Sequence, residues 1–328
     1  MNKITKIIIL FFLICYTLMA TEKVGTTSFQ FLSVNPSAQA SSLGESISSR
    51  ISGSESLFLN PAGLASVEHM DLSMSYFNYF FDIQTMALTG GYKLKNIGTI
   101  GLQCIYTNYG KMDITSVEYQ GTDADGNFNP GYTGETFNPY HMVLGLTYAK
   151  SITSNFSFGL TAKYVKEDLD VSSDKGDIAP SQILFDGGLI YKTGFRSIQT
   201  SAVVRNFGGD IVYYEDEFPA PQTLIIGISA DLFSNGDALL FTTNDNHKLM
   251  FAFDLIAPRD YDQQYNLGLE YSLWNSLFFR TGYKINYDSE GFCCGTGIKY
   301  KGFQWDYSFN NYSQYLDNIH RFSMGVTL

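Results

Sequence analysis

The chain has 328 residues and a formal charge of −11, with 16% aromatic residues against only 16% charged ones and 30 glycines. That is too aromatic for a disordered chain and too weakly charged for an ordinary soluble enzyme. An acidic balance of this size repels nucleic acid, so no nucleic-acid partner is expected.

The first 20 residues, MNKITKIIILFFLICYTLMA, place Lys3 and Lys6 ahead of an apolar core from Ile7 to about Leu18. This pattern predicts a secretory signal peptide cut after Ala20. Its loss would leave 19 basic against 32 acidic residues, a mature charge of about −13. No later window approaches the ~18 to 20 apolar residues of a membrane-spanning helix. The exported remainder is therefore either a soluble β-protein or a β-barrel. Cys104 stands alone, and the adjacent Cys293 and Cys294 would point to opposite faces of a strand, so no disulfide framework is expected.

Residues 21–66 are rich in Ser, Gly and Ala and show no sustained alternation. They predict a packed irregular segment with short helical turns, placed as a plug in the lumen of a barrel. Within it LFLNPAGLAS, Leu57 to Ser66, carries a corner. Asn60 is a favoured helix N-cap, Pro61 suits the first helical position, and Ala62, Gly63 and the residues to Ser66 complete one short turn.

Residues 67–328 change to a period of two. Leu224, Ile226 and Ile228 alternate with Thr223, Gly227 and Ser229; Phe303, Trp305, Tyr307 and Phe309 alternate with Gln304, Asp306, Ser308 and Asn310. The polar rows hold Gly, Ser, Thr and Asn with few charges, as at Gly159, Thr161 and Lys163, which suits a barrel lumen better than a solvated sandwich face. Apolar rows that end in Tyr, Phe and Trp suit the girdles of a membrane wall. Splitting at turn residues gives about fourteen strands, with long loops near residues 120–138, 168–182 and 210–222. The fold class expected is all-β, a transmembrane antiparallel barrel in the outer membrane of a Gram-negative type of cell, with outer-membrane lipid as its surroundings.

No catalytic constellation can be nominated. His69, His141, His247 and His320 are scattered, which favours girdle or loop histidines over a metal site, and no Gly-x-Ser-x-Gly elbow is present. No enzyme activity, cofactor or metal is expected. The run Tyr213, Tyr214, Glu215, Asp216, Glu217 reads as a solvated acidic loop and a contact patch for a protein partner.

The order FQFLSVNPSAQASSLGES, LFLNPAGLA, then MDLSMSY resembles the PorV/PorQ family of outer-membrane proteins. That family is similar to the FadL-type transporters of hydrophobic compounds, and the resemblance implies a fourteen-stranded FadL-like barrel with an N-terminal plug. It further implies a non-enzymatic component of a type IX-like secretion system, or a cargo-binding partner of one, touching secretion-machinery proteins or exported cargo through its loops. The alternative is a FadL-like transporter for hydrophobic small molecules. It would differ by an apolar pocket reached from the loops and a kinked strand opening sideways. The sequence does not give the oligomeric state.

Overall fold

The computed structural model describes residues 25–122, 126–169, 172–173, 176–213, 215–243, 246–312 and 316–328; the expected signal peptide and Tyr214 lie outside them. Among the described residues fourteen strands build one wall. They are β1 (Met70–Asn78), β2 (Gln84–Leu94), β3 (Gly98–Asn108), β4 (Tyr140–Ser151), β5 (Phe156–Asp168), β6 (Ser181–Lys192) and β7 (Gln199–Gly208). The circuit continues with β8 (Thr223–Ser234), β9 (His247–Pro258), β10 (Gln264–Leu273), β11 (Leu277–Ile285), β12 (Glu290–Tyr300), β13 (Phe303–Tyr312) and β14 (Ile319–Thr327). Each pairs antiparallel with the next in sequence, and β14 returns to β1 with Asp71 opposite Thr327 and Phe77 opposite Arg321. Closure leaves the wall without an edge strand, so apart from local bulges its backbone is satisfied within the sheet, which a lipid-embedded structure requires.

The period-two pattern sorts side chains as the sequence predicts. Leu102, Leu146, Leu160 and Phe322 point outward and are 57 to 64% exposed, whereas the inward Thr99, Thr147, Thr161 and Ser308 are at most 2% exposed. An apolar exterior around a polar interior is the arrangement of a membrane barrel and the inverse of a soluble one. Where β1 begins, most connections are short, at residues 95–97, 152–155, 274–276 and 301–302; the opposite end carries the long ones, 109–139, 169–180 and 209–222. The longest is itself folded, with Met112–Thr115 paired to Tyr132–Phe137.

The chain before β1 runs through the barrel from the long-loop end to the short-turn end. It enters beside the loops, where Ser28 N–H donates to the Pro219 carbonyl at 3.0 Å and the Thr27 hydroxyl donates to Asp260 at 2.6 Å. Single helical turns follow at Gln30–Ser33, Ala38–Ser42, Ser54–Phe58 and Pro61–Ser66. Inward polar residues of the wall bond it: Ser323 accepts from Ala38 N–H at 2.9 Å, Asp254 from Ser48 N–H at 3.0 Å, and Asn310 donates to the Ser41 carbonyl at 3.1 Å. Leu43, Ile47, Ile51, Leu57, Leu59 and Leu64 are at most 3% exposed, and each contributes about 1.5 to 3 kcal/mol by burial. Some of their contacts are to Val203, Ile225, Met250 and Ile256 on β7 to β9, so the inward face is apolar at that level.

Two inward glycines make the close approach. A Cβ on Gly159 would stand 2.3 Å from the Pro61 carbonyl carbon, and one on Gly282 2.3 Å from that of Leu43. Backbone therefore packs on backbone there, which only glycine permits. Several inward charges are paired: Arg280 donates to Glu270 at 2.6 Å and to Asp306 at 2.5 Å, and Lys284 bridges Glu45, at 2.7 Å, to Glu290.

Candidate functional site

The Gln30–Ser33 turn starts from Phe29, which sits in the left-handed region at φ 51°. That strain is held by packing, since Phe29 is 2% exposed against Phe31 and the Tyr213 ring. The turn projects Phe31 into the lumen, where its ring stacks on His141 of β4 with centroids 3.7 Å apart and planes 9° from parallel. The His141 Nδ1 in turn meets the Tyr109 hydroxyl at 3.1 Å. Burial pushes the Tyr109 hydroxyl up to about 12, so it stays a neutral hydrogen-bonding group.

Between this turn and the wall lies a cavity of about 280 Å³. Phe31, Leu32, Val34 and Phe58 line it from the segment, and Phe77, Ile105 and Val143 from the wall; Tyr79, Ile83 and Tyr109 bound it at the long-loop end. Its polar lining includes Thr85, Gln103, Thr107, Lys163, Asp186 and Arg205, besides Gln30 and His141. Lys163 Nζ pairs with Asp186 at 2.8 Å and donates to Asn206 Oδ1 at 2.5 Å, all three nearly fully buried. A bulge creates this cluster. Phe185 and Gly187 of β6 face Phe207 and Val204 of β7, so β7 carries one extra residue. Asn206, at φ 56°, gives its N–H to Asp186 at 2.7 Å instead of to the ladder. Gln30, Leu32 and Arg205 also line a second cavity of about 220 Å³, whose other walls include Glu45, Asp260, Lys284 and Glu290. The lumen thus holds one aromatic chamber and one charged chamber with a shared partition.

The corner residues form a capped turn. Asn60 Oδ1 accepts from Ala62 N–H at 3.0 Å, Pro61 takes the first position of the turn, and Asn60 Nδ2 donates to the Ser48 carbonyl at 2.8 Å. Ala62 is 1% exposed, and a Cβ on Gly63 would stand 2.4 Å from the Ile51 carbonyl oxygen. None of the four lines the aromatic cavity. The loop patch is divided. Glu215, Asp216 and Glu217 are exposed, whereas Tyr213 turns inward, receives a hydrogen bond from Ser28 at 3.2 Å and donates to Glu167. His141 departs from the girdle or loop reading, because its position on β4 has inward parity. His320 does lie on the outward face, 2.8 Å from the Tyr307 hydroxyl. Alternation places Lys163 inward, but no local pattern signals that Phe31, Leu32 and Lys163 meet His141, Gln103 and Asp186.

No protein-family model matches the chain, and no curated protein matches it in sequence. Solved structures do. The monoaromatic hydrocarbon channel CymD superposes with a TM-score of 0.56 at 13% identity, over 92% of this chain and 99% of that one. The toluene transporter TodX of Pseudomonas putida gives 0.52 at 12% identity, over 88% and 96%. A FadL homologue of Pseudomonas aeruginosa lies further off, at 0.48 and 10% identity over 94% and 100%. Low identity with near-complete coverage establishes architecture, not chemistry. The chain is an integral outer-membrane barrel of fourteen antiparallel strands that shares the fold of CymD and TodX.

Proposed function

We propose that the protein is an outer-membrane transporter that admits a small hydrophobic molecule from the long-loop side into the aromatic chamber. The observation that carries this reading is the chamber itself. It is mostly apolar, bounded by Tyr79, Ile83 and Tyr109 at the loop end, and lined in good part by the N-terminal segment. At about 280 Å³ it sits near the small end of ligand pockets, roughly 300 to 1,000 Å³. The hydrocarbon channels that share the fold support the same reading. The secretion-component reading draws on the PorV/PorQ resemblance alone and takes second place.

The segment acts as a plug in this reading. Below the chamber, Leu43 to Leu64 packs against the wall, so onward passage requires that stretch to move. Beside the chamber the β2–β3, β3–β4 and β4–β5 pairings run without a register shift, and the β6–β7 pairing is interrupted by the bulge at Asn206. Binding of radiolabelled toluene to purified protein tests the proposal, with Val143→Trp as the variant that fills the chamber. Saturable binding lost in that variant, with heat-modifiable mobility retained, is the expected result. Absence of binding, together with recovery of secretion-machinery proteins or exported cargo from detergent-solubilised membranes, would instead favour the secretion reading.

A further inference from the structure

We infer that the aromatic chamber selects molecules bearing a hydroxyl on an otherwise apolar skeleton, and that the Gln103 side-chain amide reads that hydroxyl. This rests on the transporter reading above and narrows it to a substrate class.

Strand register sets four inward positions in a row across β2 to β5: Thr89 faces Gln103, Gln103 faces Gly145, and Gly145 faces Lys163. Lys163 is satisfied by Asp186 and Asn206. Gln103 is not. It is 5% exposed, and its Oε1 has no hydrogen-bond partner among the described residues; neither does the adjacent Thr89 Oγ1. Gly145 explains where the amide goes, because a Cβ there would stand 2.6 Å from both Cγ and Nε2 of Gln103. The side chain therefore lies across the bare β4 backbone, at the wall of the chamber, with Ile105 and Val143 as the next inward residues on the same two strands.

A pure hydrocarbon in the chamber would leave this amide dry and unpaired, which is unfavourable for a buried polar group. A hydroxyl both donates and accepts, so it pairs with the amide whichever way the amide is turned. The other polar groups of the lining already have partners, Thr85 with Thr107, His141 with Tyr109, Lys163 with Asp186, Gln30 with Asp260 and Arg205 with the Leu32 carbonyl, and the aromatic and aliphatic side chains between them suit the rest of such a molecule. The competing account is a fixed water on Gln103, which would make the amide indifferent to the ligand.

Toluene and p-cresol differ by one hydroxyl and serve as the probes. Their binding to the purified full chain in detergent is measured, each corrected for partition into protein-free micelles. The expected result is that p-cresol binds about tenfold more tightly than toluene, and that the ratio falls to about one in Gln103→Met, which keeps the side-chain length. Equal affinities in the unaltered protein overturn the inference and leave the transporter reading standing, as does a ratio that survives Gln103→Met. Absence of saturable binding by either compound overturns both.

Discussion

Replacing Glu55 by glutamine should stabilise the barrel above neutral pH, and the size of the effect follows from where that carboxyl sits. Glu55 is 8% exposed in the Ser54–Phe58 turn, with Oε1 accepting from Ser73 at 2.7 Å and Oε2 accepting from Ser37. Burial, helped by the charge of Asp306, raises its pKa from 4.5 to about 7, against the opposing pull of the two serine hydrogen bonds and Arg280. At about 1.4 kcal/mol per pH unit, the shift corresponds to roughly 3 kcal/mol. The folded value lies above the unfolded one, so the folded state binds the proton more tightly. The stability this gives is fully present below pH 4.5 and is lost as pH rises through about 7. A glutamine side chain at this position would keep the size and both serine contacts without the buried charge. Urea midpoints, read from unboiled gels at pH 4, 6 and 8, should show the unaltered protein losing about 3 kcal/mol against Glu55→Gln across that range. Parallel pH profiles, or a gap that opens toward low pH, would refute the reasoning.

Two further outcomes follow from the lumen. The hydroxyl oxygens of Ser48 and Ser201 are 2.7 Å apart, close enough for a Ser48→Cys, Ser201→Cys pair to be oxidised to a disulfide between segment and wall. Uptake of a hydrophobic probe should stop on oxidation and return on reduction; uptake indifferent to the tether would show a route that does not need the segment to move. Removing one partner of the buried Lys163–Asp186 pair, as in Asp186→Ala, should cost about 3 to 5 kcal/mol, whereas Lys163→Met with Asp186→Leu should recover most of it. A urea midpoint for Asp186→Ala within about 1 kcal/mol of the unaltered protein would mean that the pair does not hold the Asn206 bulge.

The sequence by itself determined the wall. Alternation at a period of two is a local property of a strand, so Leu224, Ile226 and Ile228 against Gly227 and Ser229 announce both strand and facing, and glycine and serine rather than lysine on the inward rows announce a lumen. The turn capped by Asn60 is equally local, because the cap and the turn Pro61–Ser66 are contiguous in the chain. The chamber was not. Phe31, Gln103, His141, Lys163 and Asp186 are distant in the chain and meet only because the closed register brings β3 to β6 side by side under a segment threaded from the loop end. The extra residue at Asn206 leaves no mark on local alternation that separates it from an ordinary turn, yet it decides where Asp186 finds its donors. What only the tertiary structure decided is therefore which inward polar groups satisfy one another and which, like the Gln103 Oε1, are left without a partner among the described residues.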